Sequence, residues 1–213
     1  MKLYYHPRST YSQKALLALY EKDLAFTPVV INPGDPQERA ELLKLTPLGK
    51  VPVLVLDDDW KIPEASIIIE YLDTHFSTGA RLIPEDVDLA RQTRFHDRLA
   101  DLYINDSIKK IFFDGLKPEG KRDPDGVAAA HQLLDTMFAG LDQHLGKRTW
   151  LMGDTFTMAD CALVPSLGYA RMLHPFDRWK NLTSYANRTF ERPSFLKVAA
   201  ELAPYLAKAG AAS

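Results

Sequence analysis

Cysteine is scarce in this sequence: Cys161 is the only one among 213 residues. A single cysteine excludes a disulfide within the chain, a Cys-x-x-Cys redox pair and a zinc site built from several thiolates. It also fits a reducing compartment. The six histidines show neither the His-x-x-His nor the His-Glu-x-x-His spacing, so we expect no metal site.

Long apolar runs are missing as well. The first twenty residues contain no unbroken apolar stretch of the kind found in a signal peptide. No run approaches the roughly 18 apolar residues that cross a bilayer. We therefore expect a cytoplasmic protein without a membrane partner.

The chain also lacks an excess of charge of one sign. Lys and Arg total 26 and Asp and Glu total 28, for a net charge of −2. This balance argues against a nucleic-acid-binding surface. The apolar fraction of 46% and the charged fraction of 25% are typical of globular proteins, and the length predicts one large or two small domains.

The first third of the chain alternates short β-rich runs with helical patterns. Strands are predicted over residues 2–6, 26–31, 51–56 and 61–62, and helices over residues 12–21, 37–45 and 64–75. The resulting order β-α-β-α-β-β-α implies a small mixed sheet covered by helices.

The remainder of the chain is predicted to be helical. Residues 77–86 (STGARLIPED) are small, polar and proline-containing, as in a linker. A helical stripe of apolar residues follows, beginning at Val127, Ala130 and Leu134. We therefore predict one domain over residues 1–78 and an all-helical domain over residues 86–213, whose last seven residues, AKAGAAS, are expected to fray.

Two short segments have a pattern that suits ligand binding. Pro52 opens a strand, and a cis Val51–Pro52 bond would turn the backbone of Val51 outward as a docking edge; an ordinary strand entry is the alternative. Glu64 precedes a helix, where it would bind an ammonium group, while the N–H groups of Ala65 and Ser66 hold a carboxylate. The alternative is an acidic residue that only stabilises the helix dipole.

A third segment has a structural pattern. Thr157 and Asp160 have the spacing of a capping box, in which each side chain accepts a hydrogen bond from the other residue's backbone N–H. We expect these two residues to matter for folding and not for chemistry.

Taken together, these segments resemble the soluble glutathione transferases over essentially the whole chain. The matching stretches are LYYHPRSTYSQKALLAL, LTPLGKVPVL, PEASIIIEYLD, GDTFTMADCAL and ERPSFLKV. The resemblance implies an α/β thioredoxin-like domain that binds glutathione, followed by an all-α helical-bundle domain. It further implies a detoxifying homodimer that adds the glutathione thiolate to an apolar electrophile.

The resemblance also implies roles for single residues in the first domain. Ser9 aligns with the hydroxyl that hydrogen-bonds the glutathione sulfur in the serine-type theta, zeta and tau classes, and such a bond favours the thiolate. Ser12 would then be the N-cap of the first helix. Thr10, Tyr11 and Tyr5 are alternative donors to the sulfur.

The remaining contacts to glutathione fall on the two ligand-binding segments. Val51 and Pro52 would hold the cysteinyl unit, and Lys50 would contact a carboxylate. Glu64, Ala65 and Ser66 would hold the γ-glutamyl end. Tyr11, Tyr103, Phe112 and Phe113 are candidates for an acceptor pocket, although residues such as the last three more often belong to the core.

One residue departs from the family pattern. The family usually has Glu-Ser at the start of this helix, whereas here Ala65 stands in place of the serine. Ala65 favours a non-catalytic binding or regulatory protein as an alternative, whereas the retained Ser9 and Glu64 oppose it. A glutathione-dependent isomerase, a dehalogenase or a disulfide-bond reductase is a further alternative, because these enzymes use the same scaffold and the motifs of the sulfur site do not separate them.

Overall fold

The structure, a computed structural model, describes residues 1–210. The chain divides into two compact units, one made of residues 1–83 together with the C-terminal segment from Arg192 and the other of residues 84–191. Residues 211–213, the end of the tail expected to fray, lie outside the described residues. Among those that are described, no helix combines the length and the apolar character needed to cross a membrane.

The first unit contains a four-stranded sheet with helices against it, as the alternating pattern predicted. Its strands are β1 (Lys2–Tyr5), β2 (Thr27–Val30), β3 (Val53–Val55) and β4 (Lys61–Pro63). Its helices are α1 (Thr10–Glu21), α2 (Pro36–Leu45) and α3 (Ala65–His75), and the last helix of the chain, Pro193–Gly210, joins them. The strand order is β2-β1-β3-β4, with β1 parallel to β2 and the other pairs antiparallel. The order β-α-β-α-β-β-α of a thioredoxin-like domain is thereby confirmed.

The core of this unit is built around α1. Every residue from Ser12 to Leu19 is buried. The helix packs between α3 and the last helix, while Leu3 of β1 and Leu54 of β3 are fully buried in the sheet. A helix covered on several faces has no solvated side for its polar residues, which must then be hydrogen-bonded inside the protein.

The second unit is entirely helical, as predicted. Its helices are α4 (Val87–Leu99), α5 (Asp106–Gly115), α6 (Pro124–Leu145), α7 (Met158–Leu173) and α8 (Lys180–Phe190). A π-helical segment over Ala100–Asn105 joins α4 to α5, and a short 3-10 turn over Glu119–Lys121 precedes α6. The aspartates Asp86 and Asp123 cap α4 and α6, because a carboxylate satisfies the free N–H groups of a first turn.

The capping box predicted at the start of α7 is confirmed. The Thr157 N–H donates to Asp160 Oδ2 at 2.8 Å, and the same carboxylate accepts from the Leu151 N–H and from the Tyr185 hydroxyl. Asp160 is fully buried, and this burial raises its pKa although the hydrogen bonds act in the opposite direction. The carboxylate thus joins the loop before α7 to α8.

The last helix, α9 (Pro193–Gly210), packs with the first unit. Arg192 and Ser194 donate to the Glu21 carboxylate at the end of α1, and Tyr5 and Tyr20 donate to the carboxylate of Glu201. The compact units therefore differ at the C terminus from the sequence-based division, which placed residues 86–213 in one helical domain. Periodicity indicates that a segment is helical, but the buried carboxylates decide which surface it covers. The boundaries 1–78 and 86–213 stay a prediction.

We predict that the Glu21–Arg192 pair stabilises the docking of α9. The Glu21 side chain is 7% exposed and the Arg192 side chain 26%, so Glu21→Ala removes a carboxylate that is paired with a largely buried guanidinium. The free energy of unfolding should fall by about 3 kcal/mol, as for other buried ion pairs that lose one member. Urea denaturation measures this loss.

The matched control is Glu41→Ala, which breaks an ion pair with Lys44 whose side chains are 61% and 68% exposed. Its effect should stay within about 0.5 kcal/mol. Equal losses for the two variants would contradict a special role for Glu21.

His96 on α4 should make stability depend on pH. Its Nδ1 atom is buried without a hydrogen-bond partner in the described part of the chain, and its ring lies 4.6 Å from that of His144. Burial, followed by the charges of His144 and Arg148, lowers its pKa to about 4 from 6.5. The unfolded chain therefore binds a proton that the folded chain does not. The free energy of unfolding should decrease as the pH falls from about 6.5 to about 4, and this decrease should end below that range.

The measurement is chemical denaturation across this pH range for wild type, His96→Gln and, as control, His75→Gln, which replaces an exposed histidine of α3. The slope against pH should become shallower in His96→Gln alone. An unchanged slope would show that His96 takes up its proton in the folded state.

Candidate functional site

The sheet brings the predicted glutathione-binding segments to the same end of its strands. Strands β1 and β3 are antiparallel with Tyr4 opposite Val53, so the end of β1 lies beside the start of β3. Strands β3 and β4 are antiparallel with Val53 opposite Pro63, so the end of β4 lies there too. Three segments therefore lie at this end of the sheet: the loop that follows β1, the Val51–Pro52 bond and the start of α3.

The loop after β1 positions Ser9. Ser9 is the N-cap of α1, and its Oγ accepts a hydrogen bond from the Ser12 N–H at 3.3 Å. The expectation that Ser12 caps the helix is therefore wrong. The helix begins three residues earlier, and Ser12 is a buried residue whose Oγ accepts from the His6 N–H at 3.2 Å. Because the Ser9 oxygen only accepts in the cap, its hydroxyl proton can be donated elsewhere.

Tyr5, an alternative donor to the sulfur, is engaged differently. It is 4% exposed, and its hydroxyl donates to Glu201 Oε2 at 2.5 Å. Burial and the hydrogen bond to Glu201 raise the pKa of Tyr5. Its proton is thus committed to a carboxylate of α9. Thr10 and Tyr11 form the first turn of α1 and are half-buried.

The Val51–Pro52 peptide bond is cis, so of the two alternatives the docking-edge interpretation holds and the ordinary strand entry does not. Pro52 is buried, Val51 is half-buried and Lys50 is exposed. The strand β3 starts immediately afterwards at Val53. Val51 therefore stands just before β3 at the end of the sheet where β1 and β4 also end, and an extended peptide can pair with its backbone there.

Glu64 has an unusual backbone conformation. Its φ of 70° and ψ of 119° lie in a region that favours glycine, and its side chain makes no capping hydrogen bond to α3. Such conformations in non-glycine residues are uncommon and cluster at functional sites. Glu64 is exposed, whereas Ala65 behind it is buried. The exposed carboxylate is thus held at the positive end of a helix.

A residue that the sequence analysis did not single out joins α1 to this helix start. Lys14 is buried, and its Nζ donates to the Ser66 Oγ at 2.8 Å. The available signal was a lysine within the otherwise apolar run KALLAL. A charged residue inside a buried stretch needs an internal partner.

The aromatic residues proposed for the acceptor pocket, apart from Tyr11, lie in the second unit. Tyr103 is on the π-helical segment and is exposed, as is Phe113 on α5. Phe112 is half-buried, with ring contacts to Phe113 and Tyr169. None of the three proposed residues of this unit is in the core.

Side chains that could hold a metal ion are scattered. Within residues 1–210, no three His, Cys, Asp or Glu side chains gather in an arrangement suited to a metal. The single thiol, of Cys161, is buried in α7.

Comparisons with family models and with known proteins agree on one family. Residues 3–80 match the model for the glutathione S-transferase N-terminal domain, and residues 124–188 match the model for the C-terminal domain. Glutathione S-transferase hmp2 of Hypomyces subiculosus is 28% identical over 212 residues, which cover 94% of this chain and 98% of that protein. Maleylacetoacetate isomerase of Pseudomonas aeruginosa is 28% identical over 199 residues, covering 92% and 93%.

A solved structure extends this similarity to the fold. The crystal structure of a glutathione S-transferase from Methylobacterium radiotolerans, in complex with glutathione sulfonate, superimposes with a TM-score of 0.82. Its sequence is 30% identical, and the match covers 92% of this chain and 93% of that one.

Proposed function

Since the chain belongs to the glutathione S-transferase family, we propose that it joins the sulfur of glutathione to an electrophilic, mostly apolar small molecule. The observation that carries this proposal is that the segments containing Ser9, Val51 and Glu64 adjoin strand ends at the same end of the sheet. In the proposal these three residues hold the sulfur, the cysteinyl backbone and the γ-glutamyl end of glutathione, respectively.

In the proposed complex the tripeptide pairs with the protein along its length. The backbone of Val51, set by the cis bond to Pro52, pairs with the cysteinyl unit. The Glu64 carboxylate receives the γ-glutamyl ammonium group, and the first-turn N–H groups of Ala65 and Ser66 receive its carboxylate. Lys50 contacts a glutathione carboxylate from its exposed position.

The chemical step is attack by the thiolate. Ser9 donates its hydroxyl proton to the glutathione sulfur beside the N-terminus of α1, and both effects favour the ionised form. The thiol proton leaves to solvent, and the sulfur electron pair forms a bond to the electrophilic carbon. In a substitution the leaving group departs with the electrons of its bond to that carbon, and in an addition the π electrons of the double bond shift to the neighbouring atoms, which take up a proton from solvent. Lowering a thiol pKa by about two units corresponds to about 2.7 kcal/mol.

A second candidate reaction is a glutathione-dependent isomerisation, which the similarity to maleylacetoacetate isomerase favours. It uses the same activated thiolate, which adds to a double bond and leaves again. Assays with a general aromatic electrophile and with a cis-unsaturated diketo acid separate the two. Exchange through a protein cysteine is disfavoured because Cys161 is buried. A non-catalytic protein would bind glutathione without turnover.

We also propose a cytoplasmic location. The support is the single buried cysteine and the need for reduced glutathione, which is abundant where thiols are kept reduced.

The hydroxyl of Ser9 is tested by Ser9→Ala. The pKa of bound glutathione should rise by one to two units, at about 1.4 kcal/mol per unit. Turnover near pH 7 should therefore fall about 10- to 100-fold, and higher pH should recover part of it. Glutathione affinity should change less, because the contact acts on the sulfur. The measurement is a pH–rate series with one electrophile, together with calorimetry of glutathione binding.

Two further variants separate catalysis from helix capping. Ser9→Gly removes the hydroxyl but costs only a few tenths of a kcal/mol as an N-cap, so it should lose as much activity as Ser9→Ala while remaining more stable. Thr10→Val should keep the wild-type pH profile. A Ser9→Ala enzyme with wild-type rate and thiol pKa would contradict the assignment.

We propose a homodimer, because each unit exposes large apolar side chains. Trp60 and Ile67 are exposed in the first unit, and Phe95 and Leu102 in the second. A dimer interface would cover such side chains, and an isologous dimer buries the same residues on both chains.

Light scattering at micromolar concentration should give the mass of two 24.0-kDa chains. Phe95→Lys should shift the equilibrium toward the monomer, since an interface core excludes charge. The control Gln132→Lys, at an exposed polar residue of α6, should leave the dimer intact. A wild-type monomer would overturn this proposal.

A further inference from the structure

The inference concerns His6, which follows β1 and begins the turn that leads to Ser9. His6 is half-buried, and its ring meets the ring of Tyr205 on α9 edge to face, with the ring centroids 5.3 Å apart. Pro7 is the second residue of the turn, a position that suits its fixed φ. The turn closes with a hydrogen bond from the Ser9 N–H to the His6 carbonyl oxygen at 2.9 Å. His6 and Ser9 are thus the first and last residues of one turn.

His6 forms three of the hydrogen bonds that hold this turn. Its N–H donates to the Ser12 Oγ at 3.2 Å, and its carbonyl oxygen accepts from the Ser9 N–H. Its ring Nδ1 accepts from the Arg8 N–H at 3.2 Å. A side chain that accepts from the N–H two residues further along the chain makes the same kind of turn as an asparagine does. The imidazole thus holds the residue immediately before Ser9.

The bond from Arg8 determines the form of the imidazole. A backbone N–H can only donate, so Nδ1 presents a lone pair and the proton of the neutral ring lies on Nε2. A second proton would bind at Nδ1, where it would face the Arg8 N–H and break the bond. The turn therefore stabilises the neutral ring of His6.

The surroundings of His6 also favour its neutral form. Burial and then the charge of Arg8 lower the pKa of His6, whereas the charge of Glu38 on α2 acts in the opposite direction. The remaining neighbours are the hydroxyl of Ser12 on α1, which carries no charge, and Tyr205 on α9. His6 consequently takes up a proton only below the ordinary histidine pKa of 6.5.

We propose that His6 is a positioning residue, whose neutral ring holds the turn that presents the Ser9 hydroxyl to the glutathione sulfur and whose protonation releases that turn. Ser9 is the last residue of the turn and the N-cap of α1, with a φ of −81° and a ψ of 120°, so the turn sets the direction of its side chain. The inference rests on the proposed function. It adds a proton bound at His6 to the proton of the thiol as a cause of lost rate at low pH.

The first measurement is the pH profile of kcat with one electrophile at saturating glutathione. On the acid side, the logarithm of the wild-type rate should fall with a slope that approaches about two, because the thiol and His6 each bind a proton. The control His75→Asn changes an exposed histidine of α3 and should keep that slope.

Two variants separate the Nδ1 acceptor from the ring of His6. His6→Phe keeps an aromatic ring beside Tyr205 without an acceptor, and it should lower kcat about 3- to 10-fold at about pH 7.5, with less than about a twofold change in the KM for glutathione. His6→Asn returns an acceptor that does not titrate. It should recover most of the rate that His6→Phe loses, and its acid slope should be about one. Should His6→Phe fail to fold, His6→Leu also lacks the acceptor and is measured in the same way.

A double variant tests whether His6 acts through Ser9. His6→Phe combined with Ser9→Ala should be no slower than Ser9→Ala alone. Additive losses, or equal losses of rate in His6→Phe and His6→Asn, would show that the ring has only a packing role and would overturn the inference. An acid slope of about one in the wild type, or an unchanged slope in His6→Asn, would do the same.

The outcomes separate this inference from the proposed function. A wild-type protein that neither binds glutathione nor turns over an electrophile would overturn both, as would an unchanged rate in Ser9→Ala. The expected loss in Ser9→Ala, together with a wild-type rate and pH profile in His6→Phe, would leave the proposed function standing and overturn the inference alone.

Discussion

The burial of α1 is the constraint on which the rest of the first unit depends. Ser12, Gln13 and Lys14 follow one another along this helix and are all buried, although each is polar. Each forms a hydrogen bond to another segment: Ser12 accepts from the His6 N–H, Gln13 donates to the Pro7 carbonyl at 2.7 Å, and Lys14 donates to Ser66. The need to satisfy these groups fixes the loop before α1 and joins it to the start of α3, which are two of the three segments of the candidate site.

The opposite end of α1 is held by ionised pairs. Lys22, just after the helix, donates to Asp73 at 3.1 Å, and both side chains are almost fully buried. Asp73 also accepts hydrogen bonds from the N–H groups of Leu82 and Ile83. These bonds fix the segment that follows α3, where the first stretch of this unit ends. Glu21 and Tyr20 bind α9 at the same end. The C-terminal end of α1 therefore anchors the unit, while its N-terminal end presents Ser9.

The features that the sequence predicted are those set by residues close together in the chain. The alternation of strands and helices and the capping box of Thr157 follow from local patterns, and the structure agrees with both. The Val-Pro pair alone favours an ordinary strand entry, so the cis bond was expected only from the family resemblance. The cap of α1 was misplaced because Ser9 and Ser12 are both good N-caps, and the choice depends on the packing of the first turn. The docking of α9 and the Lys14–Ser66 bond join residues 171 and 52 positions apart, and no local pattern reports such contacts.

The hydroxyl residues of this unit differ in whether the hydroxyl donates or accepts a hydrogen bond inside the protein. Tyr5 and Tyr20 donate their protons to the carboxylate of Glu201, so these hydroxyls serve the packing of α9. Ser9 accepts from a backbone N–H and Ser66 accepts from an ammonium, and neither donor can take a proton in return. A hydroxyl of this second kind contributes to the fold through its lone pairs while its proton serves another acceptor. Helix capping by Ser9 and donation to a thiolate are therefore compatible roles of one side chain.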